Sequence, residues 1–445
     1  MQNKDRLRRI LMILLCLSLG ISVWQGVEIG RSLPGGMIDL QGIYYAAKCL
    51  IRHQDPYQVE ELHAVYVAET GRQPTGSVVP PCVNVPSTLV MIAPLSLLPW
   101  RIASVLWLCL LVASFFMGAA LAGMEAIEHS WTLSVLLVCL LAANVEVGFA
   151  LTNAGIFCVG LCAIAVCHFI KGRSQWLGEF CLAAAVAIKP HDSILIALYF
   201  FLANAPLRMR ILRAAFILIL AGLPSIAWIM KDAPGWFPEW RSNTVALARA
   251  GAVNDAGPTG AKTQSAGQII DLQAAIALVR DEPDFYNAVS YGVCGTLLLI
   301  WGIITIRAEF SLRCAWLAIA TVIPLSLLVT YHRAYDAKIL LLAIPACAML
   351  WREGGWRGAA AAVVTTLAIC ATADIPLALI SGLQSDFDLA KIGAWERIGM
   401  IPILRPAPSA LLVMAVFYLW AYAKSAKMQL RRRTGLAVKT ESTRN

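Results

Sequence analysis

Asp39 stands just beyond the first apolar run, at the start of a segment with helical periodicity. Apolar residues recur between Leu40 and Ile51 at intervals of three and four, which predicts an amphipathic helix of about three turns on the membrane surface. A carboxylate held at a helix start can remove a proton from a hydroxyl group, so Asp39 is a candidate general base. The alternative is that Asp39 only caps the helix by accepting backbone hydrogen bonds.

The rest of this segment contains aromatic and turn-forming residues that would support such a base. Asp55 precedes Pro56, a pair typical of a turn. Cys49 and Cys82 lie in the same hydrophilic region, and a disulfide between them is an open alternative. The candidate support residues are Tyr44, Tyr45, Asp55 and Tyr57.

Cationic and hydrogen-bonding side chains recur in three later segments, each next to an apolar run. Such groups can stabilise negative charge, and no cysteine–histidine spacing indicates a metal site, so none is predicted. For Lys189 the alternative is a structural ion pair with Asp192, and for His332 and Arg333 it is snorkelling at a helix end. These side chains are Lys189, His191, Gln264, Ser265, His332 and Arg333.

Membrane-spanning helices must position these residues. Of the 445 residues, 59% are hydrophobic and 14% are charged, whereas soluble domains are roughly 45–50% apolar and 25% charged. Apolar runs of spanning length recur from 10–27 to 408–424. The net charge of +9 comes from short basic clusters between these runs and not from one basic face, which argues against nucleic-acid binding.

The basic clusters follow every second apolar run, and the positive-inside rule assigns these loops and both termini to the cytoplasm. The sequence therefore predicts an all-α polytopic membrane protein with about twelve transmembrane helices in one domain, 1–430. The first outer loop, 28–82, and the second outer loop, 231–287, are expected to be folded and to carry juxtamembrane helices outside the cytoplasm. The tail, 431–445, is expected to be basic and cytoplasmic.

Four apolar pieces are visible within 83–170, and four crossings there would place the basic Lys171 outside the cytoplasm. We therefore expect one piece not to cross the membrane completely. The stretch from Asn144 to Gly155 is the expected interruption, because polar groups at membrane depth need a cavity lined by protein.

The segment from Asp39 to Tyr57 resembles the opening motif of family 87 glycosyltransferases, in which an aspartate precedes a paired-tyrosine helix and a Pro-Tyr turn. Residues 84–99 resemble the next stretch of that family, and 187–190 fit its Lys-Pro element. Residues 263–265 are similar to an Asn-Gln-Ser motif, and 331–336 loosely resemble a Trp-x-His-Tyr motif. The order and spacing of these motifs are more specific than any one of them.

The likeness covers roughly residues 10–350 and implies a GT-C-like bundle in the cell membrane, such as the bacterial inner membrane, similar to mannosyl- and arabinofuranosyltransferases. It implies a polyprenyl-phosphate sugar as donor and a lipid or glycan hydroxyl as acceptor, with no cofactor. Asp39 would act as the base of an inverting transfer, and the prenyl tail would lie in a lateral groove lined by residues such as 314–330. The donor phosphate, whose leaving needs no metal, or the donor sugar would be bound by Lys189, His191, Gln264, Ser265, His332 and Arg333. The chain departs from the family at Asn84 and Val85, which replace Tyr-Pro, and before Asn153, where a Gln is missing.

Two other classes of protein remain as alternatives. A transporter or flippase for a lipid-linked or polar solute would use intramembrane charges such as Glu146, Lys189 and Asp192 as its path. A non-catalytic assembly subunit is the other alternative. The enzyme hypothesis predicts that Asp39, Lys189 and Arg333 converge on one outward cavity with a side opening to lipid, whereas dispersed positions would favour the alternatives.

Overall fold

The computed structural model describes residues 2–33, 36–74, 78–203, 205–257, 268–374 and 393–442. In these ranges the regular structure is helical, and the only extended pairing is an isolated bridge between Ile269 and Arg333. The prediction of an all-α polytopic membrane protein is confirmed.

The first half of the described chain forms ten helices. These are α1 (Gln2–Ser32), α2 (Ile38–Ile51), α3 (Val59–Thr70), α4 (Pro86–Ser96), α5 (Trp100–Ile127), α6 (Trp131–Ala142), α7 (Glu146–Leu151), α8 (Ala154–Lys171), α9 (Gln175–Ile188) and α10 (Pro190–Ala203). The described second half continues with α11 (Ala205–Asp232), α12 (Trp236–Leu247), α13 (Leu272–Ile276), α14 (Pro283–Arg307), α15 (Leu312–Val329), a 3-10 helix (Asp336–Ala343), α16 (Ile344–Glu353), α17 (Gly355–Ala371), α18 (Ala394–Leu404) and α19 (Pro406–Ser442).

Eight segments of the described chain are long and apolar enough to span a membrane: α1, α5, α6 with α7, α8, α11, α14, α15 and α19. Four shorter apolar helices, α4, α9, α10 and α17, accompany them. The predicted number of about twelve transmembrane helices thus exceeds the eight segments of spanning length in the described chain. In α15 83% of the most apolar window is buried by protein, whereas α11 and α14 bury only 17% and 22%. Helix α15 therefore lies in the centre of the bundle, and α11 and α14 present apolar faces outward, as lipid contact requires.

One end of the bundle gathers several of the basic clusters. The Arg8 guanidinium lies 3.5 Å from the Glu128 carboxylate, and the Lys171 ammonium lies 2.8 Å from the Glu125 carboxylate. Arg352 donates to the Glu128 carbonyl oxygen at 3.4 Å. The start of α1 and the ends of α5, α8 and α16 therefore meet at one surface, which we call the basic end.

The opposite surface, the site end, holds the start of α8 and the end of α9. Helix α4 stays at this end, because Ser87 donates to the Ala187 carbonyl oxygen at 2.6 Å and Ser96 donates to the Tyr44 carbonyl oxygen at 3.1 Å. At a rise of 1.5 Å per residue its 11 residues span about 16 Å, roughly half of a bilayer core. The apolar piece that does not cross is therefore α4.

The chain is also interrupted at the polar stretch that the sequence singled out. Helix α6 ends at Ala142, α7 is a short helix, and Thr152 adopts a left-handed conformation with φ 53° before α8 begins. The prediction of an interruption here is confirmed. The sequence analysis also took this interruption as the apolar piece that does not cross the membrane. That part of the prediction is wrong, because the piece that does not cross is α4.

Helix α2 exists where the periodicity predicts it, but it does not lie free on a membrane surface. It packs against α3 and α4, and Gly42 approaches Pro80 closely enough that an added Cβ would lie 3.5 Å away. Nine of its 14 residues are buried, which is more than the one face that a helix lying on a membrane surface would bury. Cys49 and Cys82 are both buried nearby and are not joined by a disulfide.

Candidate functional site

Asp39 is the second residue of α2, and its carboxylate does not cap that helix. The N-cap position is Met37, in a left-handed conformation with φ 50°, and no side chain caps the helix there. Asp39 is partly buried, and its Oδ2 accepts a hydrogen bond of 2.7 Å from the Asn153 side-chain amide. The capping alternative for Asp39 is therefore wrong.

Asn153 is held by the start of α8, which it caps. Its Oδ1 accepts from the Gly155 backbone N–H at 2.6 Å, so its Nδ2 is the group that donates to Asp39. A Cβ at Gly155 would lie 2.5 Å from Asp336 Oδ1 and 3.0 Å from Lys189 Nζ. The absence of a side chain at Gly155 lets the helix start approach a buried ion pair closely.

Lys189 occupies the junction between α9 and α10 and forms the centre of that ion-pair cluster. Its ammonium pairs with Asp336 and lies 3.4 Å from Asp192 Oδ2. The three side chains are 15%, 2% and 1% exposed, respectively. The predicted ion pair with Asp192 is thus present, and Asp336 adds a second carboxylate that balances the cation.

His332 is fully buried and is positioned by two hydrogen-bond acceptors. Its Nε2 lies 2.9 Å from Asp192 Oδ1, and its Nδ1 lies 2.9 Å from the Thr330 carbonyl oxygen. Both hydrogen bonds form together only if each ring nitrogen carries a proton, so this geometry favours the imidazolium form. Burial opposes the charge, but the hydrogen bond and the charge of Asp192 raise the pKa of His332 above its usual value. The half-exposed His191 ring lies 4.9 Å from the His332 ring.

Arg333 is buried, so the snorkelling alternative is wrong. Its guanidinium donates to the Tyr331 hydroxyl, to the Val253 carbonyl oxygen at 2.7 Å and to Asn254 Oδ1 at 3.2 Å. Its backbone N–H donates to Asp336 Oδ2 at 3.0 Å. Arg333 therefore ties the second outer loop to the ion-pair cluster.

Burial raises the pKa of the Asp39 carboxyl above its usual value. The Asn153 hydrogen bond and the positive charges of Arg333 and Lys189 act in the opposite direction, whereas the charge of Asp336 adds to the rise. Asp39 therefore shares one electrostatic environment with Lys189 and Arg333. These three residues therefore lie in one neighbourhood, whereas the outward cavity with a side opening to lipid stays a prediction.

The first-loop candidates hold the loop together around α2. The Tyr44 hydroxyl donates to the Leu98 carbonyl oxygen at 2.8 Å, and the Tyr57 hydroxyl donates to the Asn84 carbonyl oxygen at 2.9 Å. Tyr45 packs against Tyr44, Tyr66 and Trp100. The Asp55 carboxylate accepts from the Tyr57 backbone N–H at 2.8 Å, which is the turn that Asp55-Pro56 predicts.

The remaining sequence predictions about the site are either outside the described residues or differ from the structure. Gln264 and Ser265 lie outside the described residues. Residues 314–328 are all buried by protein, so the predicted lateral groove along this helix for a prenyl tail is wrong. Sequence reasoning missed the roles of Asn153 and Asp336, although both lie within segments that it had singled out by motif.

His191, Asp192 and His332 are a set of described side chains whose spacing could hold a divalent metal. One ligand atom from each lies within 4.8 Å of the others, and two imidazoles with a carboxylate suit a transition metal. Metal entry would require His332 to give up the proton that it shares with Asp192, next to the Lys189 ammonium. The three side chains that would bind the metal therefore already belong to a network of ion pairs.

The chain is similar to one family of known proteins. A family model described as glycosyltransferase family 87 matches residues 83–330, which is more than half of the chain. The matched range includes Asn153, Lys189 and Asp192, whereas Asp39 and the 331–336 segment lie outside it. No curated protein and no solved structure gives a match.

Proposed function

Since the chain belongs to glycosyltransferase family 87 and is a multi-pass membrane glycosyltransferase, we propose that it moves a sugar from a polyprenyl-phosphate donor to an acceptor hydroxyl at the site end. One observation carries this proposal: the partly buried Asp39 carboxylate is oriented by Asn153 beside the cations Lys189 and Arg333. A carboxylate held in this way has the orientation that a general base needs.

In the proposed reaction Asp39 takes the proton of the acceptor hydroxyl. The acceptor oxygen attacks the anomeric carbon from the face opposite the phosphate and forms the new glycosidic bond. The bond between that carbon and the phosphate oxygen breaks, and its electron pair leaves with the polyprenyl phosphate. The anomeric configuration is therefore inverted.

The charges of the cluster suit this step. With His332 as imidazolium, three cations (Lys189, His332, Arg333) face three carboxylates (Asp39, Asp192, Asp336). When Asp39 takes a proton, the cluster gains one unit of positive charge as the leaving phosphate gains one negative charge. The half-exposed His191 is the cluster member most open to a ligand. Such preorganised charge stabilises the transition state without a new reorganisation of the protein.

The basic end indicates which side of the membrane the site faces. Arg8, Lys171 and Arg352 meet there, and positively charged loops are retained in the cytoplasm. The site end then faces the non-cytoplasmic side, where the donor sugar would be used. The convergence of charge at one end favours group transfer at a surface over transport along a path through the bilayer.

The test is turnover by the purified full-length protein with a panel of polyprenyl-phosphate sugars, measured as release of polyprenyl phosphate. Asp39→Asn should lower turnover by about 10²- to 10⁴-fold, because that is the usual contribution of a general base, while donor binding persists. Asp284→Asn is the matched control, since Asp284 is an exposed carboxylate at the start of α14. Near-normal turnover by Asp39→Asn would exclude Asp39 as the base, and no release from any donor would contradict the donor class.

A further inference from the structure

Helix α12 in the second outer loop turns its hydrogen-bonding side toward the protein. Trp240 Nε1 donates to the Val83 carbonyl oxygen at 2.8 Å. The Asn243 amide donates to the Tyr57 carbonyl oxygen at 2.9 Å and to the Cys82 carbonyl oxygen at 3.1 Å. These contacts fix the rotation of α12 about its axis, so its remaining face is turned away from the protein.

That outward face carries Phe237, Arg241 and Val245 at intervals of four, and the exposed Arg249 follows two residues after the helix ends at Leu247. Apolar and cationic residues thus alternate in one stripe. Phe237 and Val245 are 54% and 53% exposed. Together with Pro238 and Ser242, these four residues line an open groove of about 420 Å³. Among the described residues neither arginine has an acidic partner within ion-pair distance, which distinguishes them from Arg52 and Arg213, which pair with Glu69 and Glu179.

The stripe lies next to the membrane. Helix α12 begins four residues after Asp232, where the candidate span 206–232 ends. The half-buried Trp236 and Trp240 are the residue type that concentrates at membrane interfaces. An exposed row that pairs large apolar side chains with arginines fits the boundary between acyl chains and headgroups.

We propose that this stripe binds the phosphate groups of anionic phospholipids, with Phe237 and Val245 placed among the acyl chains. Guanidinium groups pair with phosphate through two parallel hydrogen bonds, and the unpaired arginines have such donors available. Both arginines line the same groove, one on the helix and one just beyond its end.

The experiment is native mass spectrometry of the full-length protein in detergent, titrated with phosphatidylglycerol or with the zwitterionic phosphatidylcholine. A basic residue near an anionic surface contributes a roughly fivefold gain in affinity. Arg241→Gln/Arg249→Gln should therefore bind phosphatidylglycerol about thirtyfold more weakly than the unmodified protein, and phosphatidylcholine binding should not change. The control is Arg72→Gln, because Arg72 is also exposed in an outer loop and has no acidic partner among the described residues.

Several results would overturn the proposal. They are equal phosphatidylglycerol binding by the double variant, equal binding of the two lipids by the unmodified protein, displacement by an equal concentration of inorganic phosphate, and conversion of a dimer to a monomer by the double variant with lipid binding unchanged. The readout is bound lipid and not turnover, so its failure is distinguishable from failure of the proposed glycosyl transfer. Phe237→Ser, which keeps both arginines, should weaken the binding of both lipids.

Discussion

Asn153→Ser tests whether the amide that holds Asp39 tunes its chemistry. Serine is a good helix N-cap, so it keeps the bond to the start of α8, but its short side chain removes the amide that donates to Asp39 at 2.7 Å. The variant therefore separates the bond to the carboxylate from the stability of the helix. Asn153→Asp also keeps the cap and adds a like charge, so it should have a larger effect of the same sign.

The expected size follows from the strength of one hydrogen bond to a charged acceptor, about 1.5–3 kcal/mol. Asn153 lowers the pKa of Asp39 while burial raises it, so loss of the bond raises that pKa further. At about 1.4 kcal/mol per unit, the rise is roughly one to two pKa units. Because the base must be deprotonated to act, the acidic limb of the activity profile should move upward by about the same amount.

The assay is the pH dependence of kcat/KM for polyprenyl phosphate release, with thermal unfolding in detergent as the folding control. Unchanged turnover at every pH with normal thermal unfolding would refute the role of Asn153. A uniform loss at all pH values would indicate that Asn153 positions Asp39 without tuning its pKa. Asp39→Asn should abolish the acidic limb in the residual activity.

Three further changes address the ion-pair cluster. Lys189→Met leaves the buried Asp192 and Asp336 unbalanced and should lower the free energy of unfolding by about 3–5 kcal/mol; Lys189→Met/Asp336→Leu should recover part of this in thermal unfolding, and no recovery would contradict the pairing. Gly155→Ala would bring a Cβ within 2.5 Å of Asp336 and should reduce turnover roughly tenfold to hundredfold, whereas Gly20→Ala, in open space, should not. Chelation by EDTA should leave turnover unchanged, and a loss restored by one divalent cation would instead assign a metal to the histidine–aspartate set described above.

Part of the candidate site was predictable because it depends on local chemistry. Asp39 is marked by its place at a helix start beyond the first span, and Lys189 by a charge between two apolar runs. Of their partners, Asp192 was predictable because it lies three residues from Lys189, whereas Asn153 and Asp336 were not. Asn153 lies 114 residues from Asp39, and Asp336 lies 147 residues from Lys189, so the pairs form only through the packing of distant helices.

The same division applies to the fold. Periodicity predicts α2 correctly but not its burial, because periodicity reports the apolar face of a helix and not which other elements cover the remaining faces. The expected lipid groove along 314–328 failed for a similar reason. An apolar helix has the same composition whether it faces lipid or protein, and α15 is enclosed by protein.

Composition and the spacing of basic clusters by themselves determined a polytopic helical protein, because a chain this apolar cannot expose its runs to water and charge is costly in lipid. Only the tertiary structure decided that α4 stays at one end, that Arg333 binds the second outer loop, and that Asp39 is held by Asn153. The physical reason is that hydrophobicity acts along the chain, whereas a hydrogen bond or an ion pair depends on an approach of about 3 Å between groups that the sequence separates.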